Sequence, residues 1–218
     1  MKNKLQLSIL LMMSIAFSLT PIRTHATENK HTYVQSQCLS PAMAQLQGDL
    51  RRNWIDHTIW TRSYIVSALA GLDDQKDVLE RLLRNQQDIG NAVKPYYGEA
   101  AGNKLAELLR EHILIAGKVV DAAKSGNQAD LKRYNKEWYR NADDIAKFLS
   151  AANPNWTLKE LQDLLYVHLQ LLTDQVNARL MKDWKADILA FDKGEDHIIK
   201  LADTLTQGIV KQFPEKFK

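Results

Sequence analysis

Residues 99–124 read EAAGNKLAELLREHILIAGKVVDAAK, and Leu105, Leu108, Leu109, His112, Ala116, Val119 and Ala123 recur there at intervals of mostly three and four. That is the period of a helix with one apolar face. Ser125-Gly126-Asn127 closes the stretch with residues suited to a helix C-terminus. Upstream, Ser40-Pro41 reads as an N-cap and first helical position, and an apolar stripe follows through Leu46, Leu50, Trp54, Tyr64 and Ala68 to a stop at Gly71. A shorter helix is predicted over 75–92, ending before Pro95, with Lys94-Pro95-Tyr96-Tyr97-Gly98 as a turn. Downstream, 128–152 carries Leu131, Tyr134, Trp138, Ile145 and Leu149 and stops at Asn153-Pro154. Thr157 with Glu160 opens a further stretch through Leu161, Leu165, Leu172 and Val176 towards residue 182. A last one covers 183–213, either continuous with its predecessor or joined by a tight kink. Alternating β-branched runs are missing. The prediction is an all-α, up-and-down antiparallel bundle of four to five long helices plus one shorter helix, forming a single domain over 40–218.

The beginning of the chain reads differently. Lys2 and Lys4 precede an apolar run from Leu5 to Leu19, Pro21 ends it, and Thr24-His25-Ala26 supplies small residues at a cleavage position. This is the pattern of a secretory signal peptide over 1–26, with export to the periplasm or the extracellular space after cleavage near Ala26. An uncleaved anchor would need a span of about 20 apolar residues. Residues 27–39 are polar and aperiodic, a flexible tail. Cys38 is the one cysteine among 218 residues, so no disulfide can form within the chain. The net charge of +3 vanishes with the signal, because losing Lys2, Lys4 and Arg23 from the 29 bases leaves as many as the 26 acids. A neutral protein has no field to attract nucleic acid. No second apolar run reaches spanning length, so no integral membrane span is expected after cleavage.

Four histidines fall near the middles of four predicted helices: His57, His112, His168 and His197. In an antiparallel bundle the ends exchange places while the middles coincide, so these imidazoles are expected at one height, facing inward. Each needs a hydrogen-bond partner there. Glu111 stands beside His112, Asn141 and Asp143 lie near the middle of 128–152, and Arg62 and Tyr64 follow His57 by one to two turns. One expectation is a site for a transition metal (zinc, iron or copper) at His57, Glu111, His112, His168 and His197. Arg62, Tyr64, Asn141 and Asp143 would then contact a small ligand, with Arg62 orienting an anion or pairing with Glu111. The alternative is an envelope interaction protein whose buried polar layer only fixes helix register. Non-covalent haem between two helix histidines is a further option, and a catalytic site would need an open pocket at this layer. No pair of Glu-x-x-His motifs of the di-iron type occurs, nor any His-Glu-x-x-His, Gly-x-Ser-x-Gly or phosphate-loop spacing.

Several segments, namely His57-Thr-Ile-Trp60-Thr61-Arg62, Arg81-Leu-Leu-Arg84-Asn85, Leu108-Leu-Arg-Glu111-His112, Trp138-Tyr-Arg-Asn141-Ala-Asp143, Asn153-Pro-Asn-Trp156 and Leu165-Tyr-Val-His168, resemble a family of small bacterial all-helical proteins of unassigned function. The similarity runs on through Asp187, Asp203 and Gly208 to Gln212-Phe213. Members of that family carry names such as glycosyltransferase or acetylglutamate kinase, although neither a nucleotide-sugar fold nor an ATP fold is legible in this chain. The resemblance implies an all-helical fold and marks His57, Arg62, Glu111, His112, Asn141, Asp143 and His168 as motif positions. It supplies no mechanism.

Overall fold

The computed structural model describes residues 39–218. The signal-peptide reading and nearly all of the tail lie outside the described residues. Within them the chain forms α1 (Pro41–Ala70), α2 (Gln75–Ser125), α3 (Gln128–Ala152), α4 (Leu158–Leu180) and α5 (Trp184–Gln212), followed by a short 3-10 turn, Pro214–Phe217. No strand occurs among the described residues, and no helix there is long and apolar enough to cross a membrane.

The helix ends follow the local chemistry. Ser40 Oγ accepts from the Met43 amide at 3.3 Å, Asn127 Oδ1 from Asp130 at 3.1 Å, Thr157 Oγ1 from Glu160 at 3.2 Å and Asp183 Oδ1 from Ala186 at 3.0 Å. α4 and α5 are separate rods: the break falls at Met181-Lys182, where Lys182 takes a left-handed φ of 59°.

The predicted stop before Pro95 is corrected. The helix continues through Pro95 to Tyr97, and the break falls at Gly98, whose φ of 82° and ψ of 169° suit glycine alone. Proline costs the last turn one hydrogen bond. Aromatic packing holds that turn in place, with Tyr96 against Phe213 and Phe217, and Tyr97 against Trp156 and Phe213. The Tyr97 hydroxyl also accepts from Asn153 at 2.8 Å and donates to Gln212 at 2.9 Å. α2 is therefore an elbow, with arms over 75–97 and 99–125. The arms come close enough that a Cβ on Gly90 would lie 2.6 Å from the Gly102 carbonyl oxygen.

Contacts between helices give the directions. The first arm descends beside α1, pairing Asn85 with Asn53 and Arg81 with Asp56. The second rises beside α1, where Lys124 Nζ donates to the Ala68 carbonyl. α3 descends along it, α4 rises along α3, and α5 descends between α4 and α1, with Asp203 bound by Arg51 and Asp187 by Arg62. The result is the expected up-and-down bundle, with six rods from five helices. α1, the second arm of α2 and α4 all rise, and each approaches the others across the middle. The predicted inward stripes are buried, among them Leu50, Leu105, Leu161 and Leu201.

Candidate functional site

The three rising rods carry His57, His112 and His168, and their imidazoles meet. The ring centroids of His57 and His168 lie 5.7 Å apart and those of His112 and His168 6.2 Å apart. All three are buried, at 3%, 4% and 4% exposure. Burial is the first cause of their weak basicity. It lowers His57 and His112 to about 4, helped for His57 by the His112 charge and opposed at both rings by an asparagine, Asn85 or Asn141. His168 is pushed well below the ordinary value by burial and then by the charges of its histidine neighbours. The trio is neutral at pH 7.

The surroundings of the three rings differ. His112 uses both nitrogens: Nδ1 lies 2.7 Å from Asn141 Oδ1, and Nε2 accepts from the Trp138 indole at 3.1 Å. Nδ1 therefore carries the proton. Asn141 passes the chain on by donating to the Leu108 carbonyl at 3.2 Å. His57, by contrast, has only the amide of buried Asn85 facing it, whose Oδ1 and the His57 Nδ1 stand just short of good hydrogen-bond geometry.

The other residues singled out from the sequence go elsewhere. His197 is half-buried and its Nε2 donates to the Leu164 carbonyl at 2.7 Å, across the α4–α5 seam. Glu111 pairs with Arg140 at 2.6 Å near the surface, because neighbours on a helix point about 100° apart and His112 points inward. Asp143 accepts from Gln162 and Tyr166, both at 2.7 Å. Arg62 grips buried Asp187 through two bonds of 2.9 and 3.1 Å, Arg179 adds a third at 2.8 Å, and the Phe191 ring lies under the Arg62 guanidinium. That commitment leaves Arg62 neither beside Glu111 nor at the imidazoles.

The donor set does not suit a metal. Among the described residues no group of three or more His, Cys, Asp or Glu side chains is gathered to hold one. With His112 saturated, His57 and His168 remain, two donors where a protein metal site ordinarily supplies three or four.

Above the imidazoles, towards the end where α1 stops and α3 starts, lies a cavity of about 310 Å³. Its inner end is formed by His57, His112, Trp138, Thr61 and Tyr64. Its walls are Ile65, Leu82, Ile113, Ala116, Val119, Val120, Ala123, Leu131, Leu172 and Val176. It opens between α3 and α4, where Gln128, Lys132, Asn135, Thr173 and Asn177 form the mouth. Thr61 Oγ1 is buried at the inner end and has no partner among the described residues. Tyr64 is the ligand-contact residue foreseen from the sequence that does reach this space, seated against Gly117, where a Cβ would stand 3.0 Å from its hydroxyl. Reading the sequence missed Thr61, Trp138, Lys132 and the amides of the mouth. The signal available for them was small or polar residues on faces otherwise apolar: Ala116 and Ala123 on α2, and Gln128, Lys132 and Asn135 at helical spacing on α3.

His168 does not line this cavity. It borders a second void of about 10 Å³, shared with Thr58 and Gln175, whose Nε2 has no partner among the described residues. That is the volume of one water molecule. Of the three imidazoles, His57 and His112 thus line the main cavity and His168 does not.

No protein-family model, curated protein or solved structure gives a match to this chain.

Proposed function

We propose that this protein binds a small, mostly apolar molecule in the cavity between α1, α2, α3 and α4, with one hydrogen-bonding group of that molecule at His57 and Thr61. One observation carries the reading: an apolar chamber of about 310 Å³ ends on the buried Thr61 hydroxyl, which has no partner among the described residues. A cavity half as large holds benzene, which scales to an occupant of about 12 non-hydrogen atoms. Thr61 Oγ1 can donate or accept, and a neutral imidazole can do either according to tautomer. A hydroxyl or carbonyl group is therefore satisfied at the inner end.

The reading of residues 1–26 as an export signal supports binding outside the cytoplasm. The polar layer beneath the cavity has its own role. His112, Asn141, Trp138 and the Leu108 carbonyl form a closed hydrogen-bond chain that fixes the register of α3 against α2 and holds the floor rigid.

Methyl-resolved NMR of the purified protein, titrated with 1-naphthol, tests the reading. Saturable shifts are expected at Ile65, Leu82, Val119, Val120, Leu172 and Val176, with Ile198 and Ile209 silent. Uniform or absent shifts would overturn it. Filling the chamber by Ala116→Phe should abolish the effect.

A further inference from the structure

We infer that the occupant is an amphipathic monoanion, a small carboxylic acid whose apolar body fills the chamber, whose carboxylate meets Lys132 at the mouth, and whose far end carries a hydroxyl or carbonyl group for Thr61 and His57. The inference rests on the pocket reading above and adds the ligand's charge, polarity pattern and length.

Charge comes first. Lys132 is the one lysine or arginine among the lining side chains, and no aspartate or glutamate lines the space. The two lining imidazoles are neutral at pH 7. Lys132 forms no ion pair among the described residues, whereas Arg133 beside it is held by Asp130 at 2.8 Å. Asp130 is further engaged by Asn127, and Asp121, whose charge reaches Tyr64, does not line the cavity. One ammonium balances one negative charge. Around it the amides of Gln128, Asn135 and Asn177 offer neutral donors, which suits a carboxylate better than a doubly charged phosphate ester.

Length follows from the helix. Trp138 marks the level of the inner end through its bond to His112. Lys132 stands six residues earlier on the same rod, about 9 Å along the axis at 1.5 Å per residue. A molecule of about 12 non-hydrogen atoms that is extended rather than round spans this distance with one polar end at each limit. A single aromatic ring with a short unsaturated acid chain and a para hydroxyl has that form.

The test is calorimetric titration of the purified protein at pH 7.5 with 4-hydroxycinnamate and with its uncharged analogue 4-hydroxycinnamyl alcohol, repeated on Lys132→Gln and Thr61→Val. Lys132 is exposed, so its replacement leaves the core intact. The acid is expected to bind about fivefold more tightly than the alcohol, in keeping with a charge pair at a partly wet mouth. Lys132→Gln should bring the two within about twofold, and Thr61→Val should weaken both alike. Equal affinities in the wild type would overturn the anion, and an acid preference that survives Lys132→Gln would overturn its pairing with Lys132; either result leaves the pocket standing. If neither compound binds and 1-naphthol also fails to shift the cavity methyls, the pocket reading falls and this inference with it.

Discussion

Acidification should unfold this protein over a window set by its buried histidines. In an unfolded chain an imidazole titrates near 6.5, while His57 and His112 in the fold titrate near 4 and His168 lower still. Between those values the unfolded state binds more protons than the folded one, so stability falls as pH falls. The loss is nil above pH 7, begins near 6.5, and levels off once the folded-state values are passed. At pH 5 each imidazole removes about 2 kcal/mol, and the three together about 6 kcal/mol. Domains of this kind hold about 5–15 kcal/mol in total, so the effect consumes much of the reserve. Asp203, lowered first by its hydrogen bond with Arg51, loses its contribution only below the ordinary carboxylate range, after the imidazole phase. Urea denaturation at pH 7.5, 6.5, 5.75 and 5 measures the effect, with an expected slope approaching 4 kcal/mol per pH unit at the acid end. His168→Gln should flatten that slope by about a third, whatever it does to the absolute stability. A change below about 2 kcal/mol between pH 7.5 and 5 would refute the neutral trio.

Three substitutions probe the supports of the site. Asn141→Ala strands the Nδ1–H of His112 and removes the second bond to the Leu108 carbonyl, which keeps its helical one; a loss of about 2 kcal/mol in urea unfolding is expected. Asp187→Asn removes the charge that Arg62 and Arg179 share, and because both arginines keep some solvent contact the cost should be about 2–3 kcal/mol, read by thermal unfolding. Gly208→Ala drives a methyl group into the Trp156 indole, whose N–H donates to the Thr204 carbonyl at 3.1 Å. About 1–3 kcal/mol should be lost through overpacking, with a red shift in tryptophan emission as the ring is displaced.

Much of the fold was legible because helices announce their faces and their ends separately. The stripe through Leu105, Leu109 and Val119 gives a face, and Ser40 and Thr157 give starts. Pro95 misled because proline is a strong breaker in isolation. Its effect was overridden by Tyr96 and Tyr97, whose aromatic partners come from more than 55 residues further along the chain. Local chemistry cannot reveal a contact of that range. The same holds for Arg62 and Asp187, 125 residues apart: each is recognisable as a buried-face charge, but their pairing exists only once α5 closes the ring against α1.

Height along the bundle and position around it are different kinds of information, and the site separates them. Counting residues to each helix midpoint placed four histidines at one level, and three do meet. The three are those on rods one, three and five, which rise together; His197 sits on the sixth, which descends between α4 and α1 and spends its donor on Leu164. Direction alternates with rod number, so which histidines share a direction can be counted from the sequence. Which rods then lean together at the axis depends on side-chain volume summed around the ring. The cavity is the extreme case. Thr61, Ala116, Ala123 and Thr173 line it from three helices, and each by itself is an ordinary small residue on an inward or half-inward face. A chamber is a deficit shared among neighbours, and it becomes visible only when all of them stand around the same point. For that reason the histidines, conspicuous singly, drew the eye to a metal, while the feature with room for a molecule lies one to two turns above them.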